Sequence, residues 1–108
     1  MSAVLDRIKS LVEAGKCRVS EHAYEELYKD GILAEDVIVA LPSAEFVEDY
    51  PDANRGPSVL ALCELKSGRF VHSVWGIHKA NPGICVLITA YMPDPKQWSD
   101  DLLRRVEK

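Results

Sequence analysis

Cysteine is scarce and poorly spaced for structural chemistry: Cys17, Cys63 and Cys85 form no C-x-x-C pair. An odd count without close spacing argues against a disulfide framework or a zinc ribbon, and it fits a reducing cytoplasm. Long apolar runs are missing as well. No stretch approaches the length that crosses a bilayer, and Met1-Ser2-Ala3-Val4-Leu5-Asp6-Arg7 brings charge where a signal peptide needs an unbroken apolar segment. A soluble, cytoplasmic protein without membrane association is the expectation. Basic charge is in the minority, 13 Lys and Arg against 17 Asp and Glu, for a net charge of −4. That sign disfavours a protein that coats RNA or DNA.

What is present suffices for one core. The 108 residues are 47% hydrophobic, enough to close a single domain over residues 1–108 without staples. Ser2 is placed to cap a first helix, whose Val4, Leu5, Ile8, Leu11 and Val12 recur at helical spacing until Gly15. After a short segment at Cys17-Arg18-Val19, Ser20 caps a second helix with Ala23, Tyr24, Leu27 and Tyr28 on its inner face. Gly31 ends it in a left-handed turn, with Ile32 folding back as an apolar clasp. A third helix runs from about Ala34 to Leu41, where Pro42 forbids continuation.

The period then changes from helical to alternating. Four strands are predicted, over Ala44–Tyr50, Ser58–Leu65, Arg69–Ile77 and Ile84–Met92, before a last helix that starts at Asp94-Pro95. Trp98, Leu102, Leu103 and Val106 would form its apolar side, and Arg104, Arg105 and Lys108 would suit its C-terminal dipole. The fold class is therefore α+β: N-terminal helices, a four-stranded antiparallel meander and a C-terminal helix. Residues 1–49 hold eleven acids and five bases, whereas residues 50–108 hold six acids and eight bases, so the sheet half could face an anion.

Pairing across the strands brings chemistry-bearing residues together. A two-residue Ser67-Gly68 turn sets Cys63 opposite His72, and a four-residue loop, Lys79 to Pro82, sets His72 opposite Thr89 and Phe70 opposite Tyr91. One added bulge would move Thr89 and Tyr91 to the other face. An imidazole beside a phenol and a hydroxyl suits general acid–base work. It equally suits plain packing, in which a buried His satisfies one hydrogen bond and Thr and Tyr are good strand formers.

His22, in the first turn of the second helix, is a second candidate base; its structural reading is a solvated residue at a helix start. Cys63 beside His72 could be a nucleophile or a small buried apolar residue. Arg55, Arg69 and Lys79, in or beside loops, are placed to meet phosphate or carboxylate, or simply solvent. Cys63, His72, His78 and Cys85 do not converge as zinc ligands, since His72 and His78 lie roughly 20 Å apart along a strand, so neither metal nor cofactor is expected. Trp75 and Trp98 read as core anchors, Trp75 on the face opposite His72 and Trp98 seating the last helix.

The segments Ser20-Glu21-His22-Ala23, Asp30-Gly31-Ile32, Asp36-Val37, Asp49-Tyr50-Pro51, Gly68-Arg69 with Val71-His72-Ser73-Val74, and Leu87-Ile88-Thr89-Ala90-Tyr91 with Pro93-Asp94 and Trp98 resemble the DUF4258 family of small bacterial domains of unknown function. The resemblance implies a compact α+β domain likened to RelE-type and BrnT-type toxins, which cleave messenger RNA or are suspected to. It maps recurrent histidines to His22 and His72, and a terminal strand motif to Thr89 and Tyr91. Members often carry arginines along the helix that starts with the histidine, whereas Glu26 and Asp30 stand there in this chain. Acids in those places work against phosphate neutralisation.

Three functions fit these residues. In a metal-independent, toxin-like ribonuclease of a toxin–antitoxin system, His72 or His22 takes the proton of a ribose 2′-hydroxyl. Tyr91 protonates the leaving oxygen, while Arg69 or Arg55 holds the phosphate and Thr89 contributes to binding. An antitoxin would be its partner. In a non-catalytic module on the same scaffold, the sheet pairs with another protein or a second copy of itself. The third is a small-molecule pocket between His22 and the sheet.

Overall fold

The computed structural model describes residues 2–106. Helix α1 (Ala3–Glu13) starts where the Ser2 hydroxyl accepts from the Leu5 N–H at 3.1 Å, and it buries Leu5, Ile8, Leu11 and Val12. Strand β1 (Cys17–Val19) leads into α2 (Glu21–Lys29), capped by Ser20 through the Ala23 N–H at 3.0 Å. Beyond α2 the chain turns at Gly31, φ +66°, and the Ile32 N–H returns to the Leu27 carbonyl at 3.0 Å with Ile32 buried. A left-handed residue followed by an apolar contact back onto the helix closes orphan carbonyls at its end. Helix α3 (Ala34–Ala40) ends one residue before the expected Leu41, and a 3₁₀ turn over Leu41–Ser43 carries the chain through Pro42.

Strands β2 (Glu45–Tyr50), β3 (Ser58–Glu64), β4 (Phe70–Ile77) and β5 (Cys85–Tyr91) form the predicted antiparallel succession. The sheet is larger and mixed, however, in the order β1-β5-β4-β3-β2, because β1 pairs parallel with β5, Cys17 against Cys85 through Val19 against Leu87. Three residues are too few to show alternation, and the partner strand lies far along the chain. The helices pack on one face through Val59, Ala61, Cys63, Val71, Trp75, Cys85 and Leu87. On this face the buried Trp75 indole N–H donates to Ser73 Oγ at 3.0 Å.

The first hairpin differs from expectation by one residue. Its loop has three residues, Lys66 to Gly68, with the Leu65 N–H on the Arg69 carbonyl at 2.9 Å, the Gly68 N–H on the Leu65 carbonyl at 2.8 Å, and Gly68 at φ +88°. That geometry is a turn followed by a glycine bulge. It sets Leu62, not Cys63, against His72. A one-residue slip exchanges the faces, so Cys63 lies under the helices beside Ser73 Oγ at 3.4 Å, away from the imidazole.

The second hairpin is shifted twice. Ile77 pairs with Cys85 across a seven-residue loop, a register that would set Thr89 against Ser73 on the helix side. A bulge between Val74 and Trp75 then restores the parity, with Val74 against Thr89 and His72 against Tyr91. The expected partners, Thr89 for His72 and Tyr91 for Phe70, are thereby corrected, and His72, Thr89 and Tyr91 still share the outer face.

The predicted C-terminal helix does not form. Residues 93–106 make turns closed by a bridge between Trp98 and Arg105. Asp94 Oδ1 accepts from the Lys96 N–H at 2.9 Å, Asp101 Oδ1 accepts from the Ser99 hydroxyl and the Leu103 N–H, and Ser99 Oγ accepts from the Arg104 N–H at 3.2 Å. Short polar side chains thus take backbone donors that a helix would use. Leu102, at φ +63°, completes the reversal. Trp98 is buried as an anchor, but of this strap, which lies on the outer face with Leu102 and Leu103 against Leu60, Leu62 and Val47. Lys108 lies outside the described residues. Among the described residues, no helix is long and apolar enough to cross a membrane.

Candidate functional site

The strap divides the outer sheet face into a closed half and an open half. In the closed half, His72 projects from β4 and is fully buried. Its Nε2 lies 2.8 Å from the Leu102 carbonyl oxygen, and a carbonyl only accepts, so Nε2 carries the proton. In the neutral ring Nδ1 is then an acceptor, and it is buried without a partner. Burial holds the imidazole below its ordinary pKa, outweighing the Leu102 carbonyl and the carboxylate of Glu48, which favour the proton. The Tyr91 ring meets His72 edge-on at 5.5 Å between centroids and Trp98 does so at 4.4 Å. Burial likewise raises the Tyr91 phenol. Thr89 is half-buried further along the same face.

The strap is fastened at its edge by Arg105, whose Nε and Nη2 donate to the two carboxylate oxygens of Glu48 at 2.8 and 3.0 Å. The guanidinium also lies 4.8 Å from the Trp98 ring centroid. The hydrogen bond from Arg105 leads in holding Glu48 below its usual range. Tyr50 donates to Glu48 at 2.8 Å, and burial together with that bond pushes its phenol up to about 12.

The remaining candidates lie apart. His22 is exposed in the first turn of α2. Arg69, at the start of β4, donates from Nη2 to the Asp30 carbonyl at 2.7 Å and to Met92 Sδ at 3.0 Å. Arg55 belongs to the opposite end, where its carbonyl accepts from the Lys79 N–H at 3.0 Å. The length of β4, roughly 23 Å at about 3.3 Å per residue, separates the two arginines. Burial raises the thiols of Cys63 and Cys17, and Cys85 up to about 12, so each remains a protonated thiol near neutrality. Among the described residues, no group of three or more His, Cys, Asp or Glu is placed to hold a metal ion.

At the open end, where the strap stops short, is a cleft of about 190 Å³. Gly76, Val86 and Ile88 line its sheet side, and Ser20, Arg55 and His78 are among the residues at its border. Gly76 lets the side chains of Ile88 and Ser58 close over β4: a Cβ there would stand 2.8 Å from Ile88 Cδ1 and 3.0 Å from Ser58 Oγ. The third functional reading expects a pocket between His22 and the sheet; His22 is not among the lining residues of this cleft, which Ser20, just ahead of α2, borders instead. A glycine inside a strand is a sequence signal of close approach, and it could have directed attention to Gly76.

A family model described as a domain of unknown function, DUF4258, matches residues 19–92. That span includes His22, His72, Tyr91 and the cleft, and leaves out α1 and the strap. No curated protein matches the chain, and no solved structure does.

Proposed function

The chain belongs to the DUF4258 family, and from that premise we propose that it is a non-catalytic binding module that uses the open half of its outer sheet face for recognition. The division of that face carries the reading. A general base must come within hydrogen-bond reach of the proton it removes. His72 is buried with Nε2 committed to the Leu102 carbonyl, whereas the cleft beside Arg55 and His78 is open. Separation of the cations supports the same view. Phosphoryl chemistry needs donors converging on one developing charge, but Arg69 is bound to Asp30 and Met92, and Arg55 lies a strand length away.

The toxin-like ribonuclease is the second reading, favoured by one observation: the unpartnered Nδ1 of His72 and the Tyr91 ring 5.5 Å away would form an acid–base pair once the strap lifted. Induced expression with transcript mapping tests both. The binding reading predicts intact transcripts and no Tyr91-dependent growth arrest. Arrest with transcript cleavage that Tyr91→Phe abolishes would overturn it and establish the ribonuclease.

A further inference from the structure

We infer that the cleft at the open end of the sheet receives a compact apolar group bearing a carboxylate. This rests on the reading of the domain as a binding module and gives that module a ligand class. Size comes first. A dry cavity near 150 Å³ accommodates benzene, so the 190 Å³ here suits a body of about six to ten heavy atoms. The sheet side sets its character: Gly76, Val86 and Ile88 present backbone and aliphatic surface, which favours a hydrocarbon over a hydrated sugar or phosphate.

The polar groups set the sign. His78 Nδ1 accepts from the Ala80 N–H at 3.0 Å, so the neutral ring carries its proton on Nε2, free to donate. Arg55 is exposed and in no ion pair among the described residues, which leaves its planar fork of donors available for a carboxylate. The Ser20 hydroxyl is already committed, donating to the Ile88 carbonyl at 2.7 Å and accepting from Ala23. Ser58 Oγ makes only a long contact, 3.4 Å, to the Gly56 carbonyl. Among the described residues no carboxylate lines the cleft, so an anion meets no like charge from its walls.

The same chemistry comes from a free small acid or from the C-terminal residue of a polypeptide, and amide NMR titration of the intact chain distinguishes them. The probes are benzoate, isovalerate, their neutral amides, and acetyl-glycyl-leucine with either a free or an amidated C-terminus. The acids should give saturable shifts centred on Gly76, Ile77, Val86 and Ile88. Their amides should bind about tenfold more weakly, and Arg55→Gln, at an exposed site that leaves the fold intact, should cost the acids about the same factor. Binding of the free-acid dipeptide along with the small acids assigns a polypeptide terminus; binding of the small acids alone assigns a free metabolite-sized acid. The inference is overturned by absent saturable shifts at about 10 mM probe, by equal binding of acids and amides, or by an Arg55→Gln variant that binds the acids unchanged. A silent titration removes the ligand class alone, whereas Tyr91-dependent transcript cleavage removes the binding reading itself.

Discussion

At the scale of a single residue, His72 shows how one ring can resemble a catalytic base in the sequence and act as a packing element in the fold. The alternation that places it opposite Trp75 across the sheet was legible, whereas its sharing a face with Tyr91 and Thr89 was not, because that depends on a loop length and a bulge that offset one another. The Leu102 carbonyl that fixes its tautomer was not, because that contact spans thirty residues and depends on a left-handed leucine. Its burial makes stability depend on pH with a definite sign. In the unfolded chain the imidazole takes up a proton near pH 6.5, and in the fold it does so at lower pH. The stabilisation from its neutral form is complete above that unfolded value and is lost as the pH falls through the folded one. Urea midpoints should therefore drop between about pH 7.5 and about pH 5.5, and the drop should be smaller in His72→Phe. Equal drops in both proteins would remove His72 as the cause.

At the scale of an element, the strap is held by burial more than by charge. The exposed Arg105–Glu48 pair is worth about 0–1 kcal/mol and the stacking of Arg105 on Trp98 about 0.5–1 kcal/mol. Trp98, only 4% exposed, covers Leu60 and Leu62, and removing a buried aromatic side chain costs about 3–5 kcal/mol. Trp98→Ala should lower unfolding stability by that amount in urea titrations, against at most about 1 kcal/mol for Arg105→Ala. A larger effect of Arg105→Ala would contradict this ranking.

The elements also explain what the sequence conveyed and what it did not. Caps at Ser2 and Ser20 and the Gly31 turn are local signals, and each produced the expected hydrogen bond. Asp94-Pro95 and the spacing of Trp98, Leu102 and Leu103 resemble a helix equally well, but Ser99 and Asp101 bind their own backbone, and the apolar residues seat a strap. The hairpin register depends on whether the loop holds two residues or three, a choice that Ser67-Gly68 alone does not make.

At the scale of the whole molecule, one sheet serves two purposes. Its inner face carries three helices, and its outer face is half covered by the strap and half open. Acidic residues Glu45, Glu48 and Asp49 lie on β2 at one sheet edge, which discourages another strand from adding there. The cleft is left at the opposite end of β4 from Arg69, in the part of the chain that is richer in bases than acids. Composition revealed that imbalance, whereas the cleft itself depends on Ser20 meeting Gly76 and Ile88, a convergence of three separate segments.

The functional reading stands on the closure of the His72 half, and ring-nitrogen NMR of His72 across a pH series measures that closure directly. The account predicts a single neutral tautomer protonated at Nε2, persisting below the pH at which a free imidazole acquires charge, with slow exchange of the ring proton. A His72 ring that titrates like a free imidazole, mixes both tautomers and exchanges its proton rapidly would contradict it.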